Sequence, residues 1–518
     1  MNVSRRQFLT TGGTAAAVVA ATGCKRVPAQ LESLLGAEPG AFQPPTADAI
    51  DPVAHVLNRL SFGPRPGDYA KVRALAKDSR LAAELWIEEQ LNPERIEDSA
   101  CTKAMRRFDS LDQPLGEFYE YKEQVLIREM VRSTVLRAIS TERQLFEMMV
   151  HFWTDHFNID PSKGDCQWLK AWDDREVIRR HALGGTPKDE MKLVQKIWYG
   201  VMGGPEKPAP REVKFPDLLR ASALSPAMLW YLDGRQNRKE NATDKPNENY
   251  ARELLELHTL GVHGGYTQKD VMEVARCLTG WTVRGRNKMF KGQVEFKKHL
   301  HDDGAKEVLG HHIPAGLGAK DLDRVLEIVS LHPSTAKYLA GKLCRWFISD
   351  APSAPTVSSV AEEFLKTGGD IRATLRAVFR SDEFWSARGV KFKRPFHFVV
   401  SAVRATEAKT DARGPLIDYL ERMGHLPFHY PTPDGYPQEP EPWMGTLLWR
   451  WNFALALHEG RLDGTRVNEQ QLVERAGGVE GFMAHLLGRK PTPAEVESYR
   501  NSGAGLALML AAPAFQRC

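Results

Sequence analysis

The sequence predicts a mainly α protein, a multi-helix globular bundle carrying a small β-hairpin insertion. Three observations carry that expectation. Apolar residues recur at helical spacing from residue 51 to the end of the chain, as in Val53, Val56, Leu57 and Leu60. The period changes after Trp281, where Thr282-Val283 and Val294-Glu295-Phe296 read as short strands with Gly285 and Gly292 near their turns. No fixed-period repeat occurs, which argues against a solenoid.

The elements follow in order. Asp51-Pro52 opens a helix that ends at Gly63-Pro64. Residues 69–92 and 114–140 read as long amphipathic helices. Phe146 to Asn158 is an aromatic-rich helix with two histidines in its second half, stopped by Asp160-Pro161. Residues 160–216 carry Gly184-Gly185, Gly203-Gly204 and several prolines, and read as an insertion of short helices and loops. Leu218 to Tyr231 returns to helix. Asn247 to Trp281 is a charged helix, a glycine turn and a capped amphipathic second helix. The hairpin region spans about 282–310. Helices resume at 321–330, from an N-cap at Ser334 to about Ile348, at 371–379, and from Lys393 to about Glu407. A Pro-rich loop fills 427–442, a helix bearing Trp443, Trp449 and Trp451 follows, and 463–518 is helical. No linker after residue 50 separates domains, so 51–515 reads as one domain.

At 518 residues the chain can bury a large core. Its net charge of +4 is close to balance, which gives no electrostatic reason to expect nucleic acid or an anionic membrane as a partner. The start, Ser4-Arg5-Arg6-Gln7-Phe8-Leu9, resembles the twin-arginine export signal, followed by a weakly apolar run to Gly23. Ala21-Thr22-Gly23-Cys24 looks like a lipobox with Ala in place of the usual Leu. The expectation is a folded, exported, periplasmic protein, anchored by lipidation of Cys24 and a tether over 25–50. Soluble export with cleavage near Ala29 is the alternative. No other apolar run reaches membrane length. Of six cysteines, Cys277 and Cys344 sit on apolar helix faces as core thiols, and the absence of C-x-x-C speaks against a thiolate zinc ribbon.

Five motifs identify a resemblance. They are H-x-L-N-R-L-S-F-G-P-R-P-G-D at 55–68, H-F-W-x-D-H-F-N at 151–158, N-E-N-Y-A-R-E-L-L-E-L-H-T-L-G-V from Asn247 with G-G-Y-T-Q after it, H-x-H-D-x-G-x-K-x-x-L-G at 299–310, and H-P-S-T-A-K-Y-L-A-x-K-L at 332–343. Together they resemble the bacterial family known as domain of unknown function 1800, over roughly 50–515. The resemblance implies a mostly helical, exported protein, often encoded beside a second exported family, domain of unknown function 1501, as a possible partner. It implies no catalytic residue set.

The residues themselves suggest a divalent transition-metal site, because imidazole and carboxylate recur in the best-matched motifs. His151 and Asp155 share a helix face; His156 is about 140° round from His151. Glu253 and Glu256 can converge, whereas His258 points away from Glu256. The expected ligands are His151, Asp155, His156, His299 and His301. Glu253 or Glu256 would ligate or act as general base in a hydrolytic or oxidative reaction. The competing reading is a buried polar network that braces long helices. Arg252 reads first as a structural salt-bridge residue, with an anion clamp as the alternative; Lys306 could be an acid or an anion ligand, or equally a solvated loop lysine. No P-loop, dinucleotide fingerprint, G-x-S-x-G or H-E-x-x-H is present. A non-enzymatic scaffold lipoprotein is the alternative function.

Overall fold

Two helix starts written in the sequence, at Asp51 and after the glycine turn, are capped as expected. Asp51 accepts a hydrogen bond from the Ala54 amide at 2.7 Å, with Pro52 at the first position of the Pro52–Arg59 helix. Thr267 and Asp270 make a reciprocal capping box that starts Gln268–Cys277. Asp370 caps Ile371–Arg380 through the Ala373 amide. The computed structural model describes residues 42–183, 213–241 and 243–518. The expected export signal, Cys24 and most of the tether lie outside the described residues, as does the 184–212 part of the expected insertion.

The architecture is mainly α. The described residues from Phe42 onward belong to one compact unit, with a single large apolar core running from Val53 to Phe515. A smaller cluster of Phe118, Leu126, Met130, Trp168 and Phe428 lies beside it. Helices adjacent in sequence pack as neighbours, as Pro333–Phe347 does on Ala354–Lys366 and that helix on Ile371–Arg380. Closure comes from distant pairs: Pro395–Ala405 packs on Glu123–Ser140, and Leu447–His458 on Gly505–Ala511. No described helix is long and apolar enough to cross a membrane.

Three small antiparallel pairs interrupt the helices. Trp281–Val283 pairs with Val294–Phe296, the expected hairpin. Lys306–Val308 then pairs with His311–Ile313. That turn puts Leu309 and Gly310 at positive φ, +49° and +77°, as a two-residue hairpin loop requires. Lys409–Thr410 pairs with Thr465–Arg466.

Several boundaries differ from the sequence expectation. Residues 69–92 form two helices, Asp68–Arg73 and Ser79–Gln90, because Asp78 caps the second through the Leu81 amide. The stretch 114–140 divides into a short 3₁₀ turn, Leu115–Glu120, and the long helix Glu123–Ser140. Ser334 is not an N-cap: Pro333 occupies the first helical position, and the His332 ring accepts from the Ser334 amide at 3.1 Å. The charged helix is regular over Asn249–Glu253 and then widens into a π turn, Leu254–His258.

The Gln144–His156 helix is the axis of the molecule, and all of its residues are buried. The Pro-rich loop straps its C-terminal end. Asn158 donates to the Tyr430 and Thr432 carbonyls at 2.8 and 2.7 Å, and Tyr231 donates to the Pro431 carbonyl at 2.8 Å. At Gly435, φ is +74° and a Cβ would stand 2.0 Å from the Asp155 carbonyl oxygen. Gly435→Ala should therefore cost more than the ~1–2 kcal/mol of the left-handed backbone alone. Gly460→Ala, at φ +67° with open space around it, should show only that smaller cost. Urea denaturation midpoints of the two variants check the difference.

Candidate functional site

A helix buried on every side must find a partner for each polar side chain it carries. Along Gln144–His156 those partners come from different parts of the chain. The Gln144 amide accepts from the Phe62 amide at 3.0 Å and donates to the Ala138 and Thr141 carbonyls. Glu147 pairs with Arg179 at 2.8 Å. Asp155 pairs with Arg394 at 2.8 Å, and the Arg394 guanidinium lies over the Trp346 ring at 4.1 Å. Burial raises the Asp155 carboxyl, against the lowering charge of Arg394.

His156 sits where three of the motifs meet. Its Nε2 lies 3.2 Å from the His258 carbonyl, which can only accept, so that nitrogen carries the proton. Its Nδ1 is then an acceptor, 3.1 Å from Nζ of Lys342. His258 comes from the π turn, and Lys342 from the Pro333–Phe347 helix. Burial holds His156 well below the ordinary histidine range, with Lys342 adding to the effect. Burial also brings Lys342 down to about 8, opposed by the charge of Asp155. This half-buried amine thus lies against a neutral imidazole, with Asp434 and Glu439 near enough to influence it.

His151 is held mainly by packing. It is 9% exposed, stacks on Phe396 at 4.7 Å and lies against Trp346 and His425. A void of about 10 Å³, room for one water, is lined by His151, Thr154, Asp155 and Tyr436. His425 behind it accepts from the Phe396 amide at 3.2 Å and stacks on Trp443 at 4.9 Å, so part of the Trp-rich segment is a packed aromatic cluster.

The other candidates lie elsewhere. Glu253 and Glu256 are near each other and half-buried; burial and then the Glu256 charge raise the Glu253 carboxyl. Arg252 is engaged by Glu248 at 2.9 Å, Gln268 at 2.8 Å and Glu256 at 3.4 Å. The 299–310 motif folds as a separate buried network. His301 Nδ1 donates to the Thr279 carbonyl at 2.9 Å, and Nε2 lies 3.1 Å from Asp321. Lys306 is not a solvated loop lysine: it is 3% exposed and its ammonium donates to Asp321 and to the carbonyls of Asp302 and Gly304. Asp302 is held by Arg276 and Lys239 at 2.8 and 2.9 Å. His299 stands exposed on the Lys298–Leu300 turn.

The structure does not bring the expected metal donors of these motifs together. Among the described residues, no group of three or more His, Cys, Asp or Glu side chains converges as metal donors would. The physical reason is commitment: His156, His301 and Asp155 already have protein partners that satisfy them. Sequence reasoning missed Lys342, Arg394, His397 and His425. The run K-F-K-R-P-F-H at 391–397 was the available signal for two of them, and the last lysine of the 332–343 motif for a third. Five cysteines, Cys101, Cys166, Cys277, Cys344 and Cys518, are buried free thiols.

Buried neutral histidines set the acid response. Burial brings His55 to about 3, His258 to about 3 and His485 to about 4, from 6.5. As pH falls below about 6.5, the unfolded chain takes up protons that the native protein refuses. Stability is present in full above that pH and is lost below it by up to ~1.4 kcal/mol per pH unit for each such histidine. Asp98, pushed up to about 6 by burial, opposes the trend, as do Asp155 and Glu253, whose carboxyls burial also raises. The urea midpoint should fall between pH 7 and pH 5; a flat profile would contradict the burial of these rings.

Comparison with known proteins places the chain in a family. No curated protein and no solved structure matches it. The model of the family described as "Protein of unknown function (DUF1800)" matches residues 55–517, nearly the whole chain, and this protein belongs to that family.

Proposed function

We propose that the chain is an extracytoplasmic enzyme in which Lys342 and His156 act together as an acid–base or nucleophilic pair. The observation that carries this reading is the 3.1 Å contact between Lys342 Nζ and His156 Nδ1, with the far nitrogen of the ring tied to a carbonyl. That tie fixes the tautomer and aims a lone pair at the amine. A desolvated lysine is partly neutral near pH 8 and can take a proton or add to a carbonyl carbon. The Asp155 charge raises it and the Arg345 charge lowers it. The twin-arginine-like start and the run to Cys24 support export and lipid anchoring.

The test is turnover by the exported protein on a panel of chromogenic esters, amides, glycosides and phosphoesters. Lys342→Met and His156→Gln should each lose about 100-fold or more, as loss of a positioned proton-transfer group does. Lys342→Arg, which keeps the charge but not a titratable amine, should not restore it. Turnover unchanged in Lys342→Met, or no turnover of any class, would overturn the reading.

A second reading, a scaffold lipoprotein working with a domain of unknown function 1501 protein, is favoured by one observation. Met444, at the end of the Glu441–Met444 turn, and Leu447 and Leu448, at the start of Leu447–His458, are 52%, 47% and 66% exposed apolar side chains close in sequence. On that reading Leu448→Glu abolishes co-purification of the partner under mild extraction while leaving the melting temperature unchanged. Identical recovery with both forms would count against it.

A further inference from the structure

We propose that the cavity enclosed by Arg59, Lys391, Arg394 and His397 is a binding site for one compact oxyanion, a carboxylate or a phosphate. The site goes beyond the Lys342–His156 chemistry and does not depend on it. The cavity holds about 30 Å³ of free space, roughly two waters, and is also lined by His151 and Gln438. That limits the occupant to a single small headgroup.

Charge is the first argument. Arg59 is 2% exposed, and its guanidinium meets the carbonyls of Phe347 and Ile348 and the Cys518 sulfur, with no side-chain carboxylate on it. Lys391 pairs with Asp350, and Arg394 with Asp155. Behind the wall, Lys393 donates to Ser401 at 3.0 Å and lies over the Phe515 ring at 4.0 Å. Arg450 donates to Gln516 at 2.7 Å and to Thr446 at 3.0 Å. Lys393 and Arg450 are each 1% exposed. Five buried cations thus share two side-chain carboxylates, with the charge on Cys518 as a further counter-ion to the two lysines. Buried charge left without compensation is strongly destabilising, and an anion in the cavity compensates it.

Unused hydrogen-bonding capacity is the second argument. A guanidinium carries five N–H donors, and Arg394 gives one of them to Asp155. His397 Nε2 and Gln438 Oε1 are buried without a partner. An oxyanion accepts from Arg394 and His397, and the Gln438 amide, turned over, presents its NH₂ to the same ligand. Burial presses Lys391 and Lys393 down to about 8, with the charge of Arg59 adding to the effect at Lys391 and that of Arg450 at Lys393.

The test is equilibrium dialysis of the whole protein with radiolabelled inorganic phosphate and, separately, radiolabelled acetate, at constant ionic strength in chloride. The expected result is saturable binding of one anion per chain for at least one of the two probes, and the probe that saturates identifies the headgroup. Lys391→Met should weaken that binding at least tenfold, and His397→Gln should weaken it as well. If Lys391→Met fails to fold, Lys391→Gln reads the same loss. Binding that never saturates with either probe, or that is unchanged in the folded variants, would overturn the proposal.

Discussion

The structure depends on one constraint: the Gln144–His156 helix is buried on all sides while carrying Gln144, Glu147, His151, Asp155 and His156. An apolar helix in this position would be held by packing alone, which is non-directional. Here an unpaired polar atom would cost about 1–3 kcal/mol, so the surrounding elements are held at defined positions. Phe62 must present its amide, Arg179 and Arg394 their guanidinia, and the π turn the His258 carbonyl. The distant closures of the fold are thus specified as much by hydrogen bonding as by area. The Pro-rich loop obeys the same logic from outside, since Gly435 is placed against the last turn of this helix.

The same device recurs around Asp321. His301 arrives there from the segment between the two hairpins and Lys306 from the first strand of the second, and Asp321 lies in the Lys320–Ser330 helix. Thr279 ties the network to the end of Gln268–Cys277, and Arg276 with Lys239 holds Asp302 beside it. Histidine, aspartate and lysine in one motif would equally serve a metal or an anion. What separates the two outcomes is whether the side chains engage one another, and here His301 and Lys306 both meet one oxygen of Asp321, whose Oδ1 is buried without a partner. A residue set that is chemically able to ligate has instead become a bracing knot.

That distinction marks the limit of what the sequence makes legible. Periodicity, the Asp51 and Thr267 caps and the change of period after Trp281 are local signals, and the helices and the hairpin follow from them. The break at Asp78 is equally local, but the apolar stripe continues through it and masks it. The π turn at Leu254–His258 was not local. Ideal helical spacing sends His258 away from Glu256, and it is the wider turn that delivers its carbonyl to His156. Lys342 was hidden for a similar reason. A lysine in an amphipathic helix reads as a solvated face, and only the arrival of His156 from a segment far away in sequence makes it a buried amine. Spacing within a motif gives faces; which motifs face each other is decided by tertiary packing.

The two sides of the central helix differ in how their charge is balanced, and this bears on chemistry. Toward Lys342 a half-buried amine lies within the influence of Asp155, Arg345, Asp434 and Glu439, so charges of both signs bear on its two protonation states. Toward Arg59 and Lys391 cations outnumber carboxylates, and the surrounding histidines, His151 and His397, are driven neutral by burial and by those cations. A proton-transfer group belongs on the first side, because its two protonation states must be close in free energy. An anion belongs on the second, because only there does negative charge remove a standing cost. The Asp155–Arg394 pair joins the two, with its carboxylate facing one side and its guanidinium lining the other.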